Sequence, residues 1–446
     1  MKYDIVVIGG SAAGLVAAIS SRKLYKDKKI LIIKKLEKEL VPCGIPYIFH
    51  TLGNVESDYM GIEEKFKAMN IELLIDEVVD GNIDEKKIIT KSGKEYYYEK
   101  LVIATGSTPF IIPIPGHNLE NVYTIPKNYK YLGTVHEKIK NAENVVIIGG
   151  GFIGVEVADE IKKSGKNVTL IEARDSLLPA SFDSDFGDIA KEEIENDNVT
   201  VLTDTIVKEI YGNEKVEKVI LDNGEEIPAD VVILATGYKP NTELAKKMGL
   251  KVTELGYIET DDYMRTSVED IYAAGDCVQH KDFFTGKPSR LMLASAAVFD
   301  ARIAANNLYK LKLLRTVKGS LNVYSTVIGS KTFAAAGITE RMAKEEGFDI
   351  IVGRAEVIDR HPGKFEDASK ISLKLIFSKE CGLLLGAQMV GGKSVGELIN
   401  VVSLAIQKEV NIKDLIKMQV GTHPLLTAGP TSYPLTLAAE DALAQM

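Results

Sequence analysis

Two stretches of the chain run through consecutive apolar residues straight into glycine: Ile5-Val6-Val7-Ile8-Gly9-Gly10 and Val145-Val146-Ile147-Ile148-Gly149-Gly150. Each unbroken run predicts a strand buried on both faces, broken by glycine into a helix that packs back on it. A second apolar strand follows in each case, Ile30-Leu31-Ile32-Ile33 and Val168-Thr169-Leu170-Ile171. A closing strand then ends in the same tripeptide, Ala104-Thr105-Gly106 and Ala235-Thr236-Gly237. One tripeptide at two equivalent strand ends marks a diverged internal duplication.

Between the units, Pro113-Ile114-Pro115-Gly116 punctuates an exit, and a helix is expected to about Lys140. A charged meander, Ile83 to Ile88, lies inside the first unit, and a long helix is expected after Phe182 in the second. Ile271-Tyr272-Ala273-Ala274-Gly275-Asp276 reads as a further strand and turn, followed by an Ala-rich helix from Leu293 to Leu308. Beyond about 321 the pattern changes. Alternating segments at Asn322–Ile328 and Lys370–Phe377, with helices from Ser394 and Ile412, predict an α+β domain. The fold class expected is therefore α/β, with two Rossmann-like dinucleotide-binding domains and a C-terminal α+β domain. The boundaries drawn are 1–117 with 245–320, then 118–244, then 321–446.

At 446 residues the chain is long enough for about three domains. Its net charge of -9 argues against wholesale nucleic-acid binding, which needs clustered Lys and Arg. Apolar runs such as Val145–Val157 are too broken to span a bilayer. Met1-Lys2-Tyr3-Asp4 leads directly into a strand without a charged leader, which predicts a cytoplasmic protein. Cys43, Cys277 and Cys381 are odd in number and widely spaced, fitting neither a disulfide framework nor a zinc site, and the histidines show no metal-ligand spacing. No metal is expected.

The glycine turns carry the first chemistry. A pyrophosphate must approach backbone amides at a positive helix end, and a β-carbon would hold it away. Gly149, Gly151 and Gly154 complete the pattern in the second turn; in the first, Gly9 and Gly14 flank Ser11 in place of the central glycine.

Across nearly the whole chain these features resemble the FAD-dependent pyridine nucleotide-disulfide oxidoreductases, in the branch with a single redox cysteine. The resemblance implies FAD at the first turn, against Gly9, Ser11 and Gly14, and NAD(P)H at the second, against Gly149, Gly151 and Gly154. It further implies a homodimer in which the C-terminal domain of one subunit completes the other's active site. Asp276, after Gly275, matches the acid that holds the ribityl hydroxyls, and Leu293-Ala294-Ser295 with Arg302 match the helix that meets the flavin. The strand ends Ala104-Thr105-Gly106 and Gly237 are expected beside the cofactors. Phe152 matches an aromatic that covers the flavin until nicotinamide displaces it. Glu172, eighteen residues after Gly154, matches the acid of the NAD ribose and favours NADH; Arg174 keeps NADPH open. One departure stands out: Lys34-Lys35 end the second strand of the FAD unit, where the family carries an acid for the adenine ribose.

Cys43, in Val41-Pro42-Cys43-Gly44-Ile45-Pro46, falls where two-cysteine relatives carry Cys-x-x-x-x-Cys, but position 48 is isoleucine. An oxidised Cys43 must then be a mixed disulfide, a persulfide or a sulfenic acid. Amides at a helix start are expected to lower its thiol pKa. Cys277 and Cys381 are expected to be buried structural cysteines.

The resemblance leaves several oxidants. Ser11-Ala12-Ala13 lacks the histidine that peroxidase and oxidase relatives carry in the first turn. Arg22 fits a contact to coenzyme A phosphates, whereas His361 and His423 stand where coenzyme A disulfide reductases carry tyrosines. His423-Pro424 resembles the His-Pro of two-cysteine reductases, without the acid that follows there, and makes His423 a candidate proton donor. The expected function is NADH-dependent reduction of a small disulfide, persulfide or polysulfide through Cys43. An NADH oxidase or peroxidase is the enzyme alternative, and a flavin-bound electron carrier or redox sensor the alternative of another class.

Overall fold

The two apolar runs become the central strands of two parallel sheets. In the first, Lys2–Ile8 lies between Ile30–Lys34 and Glu95–Ile103, parallel to both, with Glu72–Ile75 outside Ile30–Lys34. Ile5, Val6 and Val7 are fully buried, which is why this strand shows no polar alternation. The charged meander is the turn, and the start of the second strand, of the antiparallel pair Val78–Asn82 and Lys87–Thr90 at the sheet's far side. Ile271–Ala273 returns after the second unit to pair in parallel with Leu101–Ile103. The second sheet runs in the order Thr200–Leu202, Asn167–Ile171, Asn144–Ile148, Val231–Leu234, Val122–Thr124, all parallel.

A computed structural model describes residues 1–314 and 318–446; the joint expected near 320 thus encloses 315–317, which lie outside the described residues. From Val323 the chain forms a five-stranded antiparallel sheet covered by the helices Val395–Gln407 and Pro434–Leu443. The helix expected from Ile412 is a five-residue segment, Ile412–Ile416, closed by a capping box between Asn411 and Asp414. Lys374 is 1% exposed and binds Asp183, Asp185 and Glu340, tying this domain to the second unit. With its ammonium buried, loss of these carboxylates would leave an uncompensated charge.

The two nucleotide units are laced by a reciprocal exchange. Thr105 donates its hydroxyl to Asn241 O at 2.6 Å, Thr236 to Phe110 O at 2.9 Å, and Ser107–Pro109 pairs antiparallel with Tyr238–Pro240. The repeated Ala-Thr-Gly thus does the same work in both halves.

Cys277 is fully buried as expected, its thiol facing Ile103 O and Ala274 O. Cys381 corrects its expectation. It is exposed on the turn after strand Lys370–Ser378, because Gly382 at φ +70° reverses the chain there and leaves the preceding side chain outside.

Candidate active site

Both glycine turns have the geometry a dinucleotide needs. Gly9 and Gly149 sit at φ +119° and +114°, and a Cβ on either would strike the carbonyl of Ala104 or Ala235. Gly14 and Gly154 let each helix pass over its own turn: a Cβ there would lie 1.9 and 1.8 Å from Gly9 O and Gly149 O. A Cβ on Gly151 would meet nothing within 4 Å, so space is left open at the helix start. Ser11 occupies the N-cap of helix Ala12–Leu24 but makes no side-chain cap bond, which leaves its hydroxyl to a ligand. The residues present fit two pyrophosphates.

A cavity of about 610 Å³ joins the two turns. The helices Ala12–Leu24, Phe152–Lys163 and Ala294–Asn307 all begin at it, so three positive helix ends converge on one space. Among the residues expected from sequence, Ser11, Cys43, Ala104, Gly106, Gly151, Phe152, Gly237, Asp276 and Ala294 line it. Gly9, Gly14, Gly149 and Gly154 shape the turns behind its wall, and Gly275 packs against Ala13 and Ala297. Thr105 is spent on Asn241. Glu172 lies at the second turn, accepting the Gly150 N–H at 2.6 Å and the Arg174 N–H at 2.9 Å.

Three expected residues are not brought to this cavity within one chain. Arg22 spends its guanidinium on the carbonyls of Tyr25, Lys26 and Asn70 at the far end of its helix. His361 and His423 lie together on the C-terminal domain: His361 Nδ1 is 3.0 Å from Thr427 O, and His423 is exposed with its Nδ1 accepting from Leu425 N.

Cys43 is reached by solvent through the cavity, yet its thiol is pushed above the ordinary value by burial and by the Glu156 carboxylate, with Lys127 opposing. The expected lowering by a helix start is therefore corrected. The helix that follows is a five-residue 3-10 segment, Ile45–Phe49, whose second residue is proline, and the Gly44 N–H is already bonded to Val41 O. Few free amides remain to stabilise a thiolate.

Around the thiol stand groups that the sequence reading missed. Glu156 is pushed up to about 7 by burial, although the Thr326 hydroxyl donates to it at 2.6 Å. It lies four residues after Phe152 on one helix face, a spacing that could have flagged it. Burial raises Asp276, but Lys127 at 2.9 Å and Ser107 at 2.7 Å outweigh it and hold the carboxyl below its usual value. Lys127 comes from the short loop after strand Val122–Thr124 of the second unit, where nothing in the local pattern marks it. Phe152 stacks on Tyr324 of the C-terminal domain, ring centres 5.0 Å apart, at the cavity wall. The arrangement places a redox-capable sulfur, one ammonium and two carboxyl groups around a space open to both glycine turns.

Comparison with known proteins agrees with this geometry. Residues 3–301 match the pyridine nucleotide-disulphide oxidoreductase family, and 323–432 match that family's dimerisation domain. An NADH oxidase of Methanocaldococcus jannaschii is 35% identical, covering 99% of both chains. An NAD(P)H coenzyme A polysulfide/persulfide reductase of Pyrococcus horikoshii is 36% identical over 88% of each chain. The solved NAD-dependent persulfide reductase from A. fulgidus is 34% identical with a TM-score of 0.90, over all of this chain and 83% of its own. No helix of the described residues is long and apolar enough to cross a membrane. The chain is thus an FAD-dependent, NAD(P)H-using enzyme that belongs to the pyridine nucleotide-disulphide oxidoreductases.

Proposed function

We propose that this enzyme uses NADH to reduce a small disulfide, persulfide or polysulfide, of the coenzyme A disulfide kind, at Cys43. The observation that carries the reading is the shared cavity, in which the Cys43 thiol opens onto both glycine turns and Asp276. The polysulfide/persulfide reductase and persulfide reductase relatives support the substrate class.

Bound FAD supplies the two-electron step between NADH and sulfur. In the proposed cycle the Cys43 thiolate attacks an S–S bond, a Cys43–S–S–R bond forms, and one thiolate RS⁻ leaves. Two electrons from NADH then cleave that bond, restoring the Cys43 thiolate and releasing a second RS⁻. Each leaving thiolate takes a proton. Lys127 balances the thiolate's charge, while Glu156, raised to about 7, exchanges protons with it near neutral pH. Glu172 accepts the 2′-hydroxyl of NADH and repels a 2′-phosphate.

The second copy implied by the dimerisation domain would complete the site, with His423 of the partner subunit as proton donor to the leaving thiolate and His361 of the partner subunit beside it. Leu425 and Leu426, 50% and 64% exposed next to His423, give that segment apolar surface to bury in the dimer. The exposed Lys23 and Lys26, at the helix end where Arg22 is bound to three carbonyls, would meet the phosphates of a coenzyme A moiety. Three free thiols suit a reducing compartment and support a cytoplasmic setting.

The full-length match to an NADH oxidase favours oxygen as a second oxidant. Steady-state NADH oxidation with coenzyme A disulfide, polysulfide, peroxide and oxygen decides the order. Wild-type turnover should be fastest with a sulfur substrate and should be lost with Cys43→Ser; sulfur reduction surviving in that variant would contradict the reading.

A further inference from the structure

The first nucleotide unit has no acid at the end of its second strand, and the structure supplies one from elsewhere. In the second unit a Cβ on Gly150 would lie 2.9 Å from Glu172 Cβ and 2.8 Å from Leu177 Cδ2. In the first, a Cβ on Gly10 would lie 2.7 Å from Lys34 Cβ and 2.7 Å from Glu39 Oε1. Both pairs are five residues apart. The lysine therefore stands where Glu172 stands, and Glu39 brings a carboxylate to the place that Leu177 fills.

Lys34 is turned away from the turn. Its ammonium binds Glu37 O at 2.9 Å and Glu63 Oε1 at 2.7 Å, and the other Glu63 oxygen accepts from the Tyr59 hydroxyl at 2.5 Å. Only the alkyl stem of Lys34 faces Gly10, so its charge is already matched. Glu39 is held in place by its backbone: its carbonyl accepts the Met60 N–H at 2.9 Å, and Leu40 bridges to Tyr59. Its side chain is different. The residue is 6% exposed, and among the described residues its carboxylate receives no hydrogen bond and forms no ion pair within 4.0 Å. Burying a carboxylate without donors is unfavourable, and although Lys34 and Lys127 attract its charge, no hydrogen bond among the described residues compensates it. A ligand offering two adjacent hydroxyls would.

We propose that Glu39 is the acid that holds the adenosine ribose of FAD in this chain, a carboxylate moved from the strand end to the segment that leads to Cys43. The assignment rests on the FAD dependence of the family. Burial pushes Glu39 up to about 7, with Lys34 and Lys127 pulling it down and Glu63 pushing it up. The ribose hydroxyls bond best to the ionised form, so FAD affinity should rise as pH increases through about 7.

The test is reconstitution of apoprotein with FAD, with its 2′-deoxyadenosine analogue and with FMN, followed by flavin fluorescence. Removing a charge-assisted bond with Glu39→Gln should weaken FAD about 10- to 100-fold and leave FMN, which lacks the adenosine, unchanged. Wild type should prefer FAD to the deoxy analogue; Glu39→Gln should bind both alike and lose the rise through pH 7. Glu39→Asp, which keeps the charge on a shorter stem, should fall between. An unaltered FAD affinity in Glu39→Gln, or an undiminished preference for FAD over the deoxy analogue, would overturn the assignment. Equal weakening of FMN would also overturn it, by exposing a general structural defect. A wild type that takes up no FAD would overturn the flavin reading and this assignment together.

Discussion

The two nucleotide units share a backbone and differ in what is hung on it. Gly9 and Gly149 adopt nearly the same φ, and Gly14 and Gly154 pass equally close to the turn carbonyl. Ala104 and Ala235 bond back to Ile8 O and Ile148 O at 2.8 and 2.9 Å. The side chains diverge: Glu172 is fixed by two backbone amides, whereas Lys34 faces Glu63 and the nearby carboxylate is the unpartnered Glu39. At the shared cavity the first unit contributes the Cys43 thiol and the Asp276 carboxylate, and the second contributes Glu156. The lesson is that the turn fixes where a dinucleotide lies, while the recognising and reacting groups are free to move between neighbouring positions.

Substitution can break that comparison at four points. The largest effect is expected from Cys43→Ser, which should lower sulfur reduction at least about 10³-fold while leaving flavin reduction by NADH intact. Stopped-flow absorbance under anaerobic conditions separates the two steps; loss of both would mean that residue 43 also supports the nucleotide sites. Next come Gly14→Ala and Gly154→Ala. Each forces a methyl onto a carbonyl at under 2 Å, at about 1 to 3 kcal/mol. The first should reduce bound FAD and the second should raise the KM for NADH with FAD retained; the reverse outcome would exchange the cofactors between units.

Glu172→Gln should cut kcat/KM for NADH about 10- to 100-fold and narrow the preference over NADPH. An unchanged ratio of the two nucleotides would remove Glu172 from recognition. The mildest change is expected from Glu156→Gln. Losing that carboxylate removes one of the influences that raise the Cys43 thiol, so the pH midpoint of Cys43 alkylation should move downward. The sign follows from charge: a nearby anion disfavours the thiolate. A midpoint that stays or rises would detach Glu156 from the thiol. For stability the same variant acts in the other direction of pH. Glu156 is raised to about 7 in the fold, so its contribution is complete below the unfolded carboxylate range and is lost as pH rises through 7. Glu156→Gln should flatten that part of the melting-temperature profile.

The duplication was legible because its signals are local: apolar runs, glycines and a repeated tripeptide all lie within a few residues of the turns they build. The cavity lining of Ser11, Cys43, Phe152, Asp276 and Ala294 was readable for the same reason. Other features were not, because their cause is spatial. Glu39 lies in irregular chain and reaches Gly10 only through the pairing of Leu40 with Tyr59. Lys127 meets Asp276 across 149 positions. The raised Cys43 thiol depends first on burial and then on Glu156 from the other unit, and the exposure of Cys381 on how Gly382 turns. Arg22 suggested a ligand contact by type alone, and only the structure places its donors on three carbonyls.

The central claim is that electrons from NADH reach a small sulfur substrate through Cys43, and one measurement addresses it directly. Protein treated anaerobically with coenzyme A disulfide or polysulfide, desalted and analysed by intact and peptide mass should carry one adduct on Cys43 and none on Cys381, which is also exposed. One equivalent of NADH should then discharge it with release of one thiol or one sulfide. An adduct confined to Cys381, or one on Cys43 that NADH leaves in place, would contradict the account.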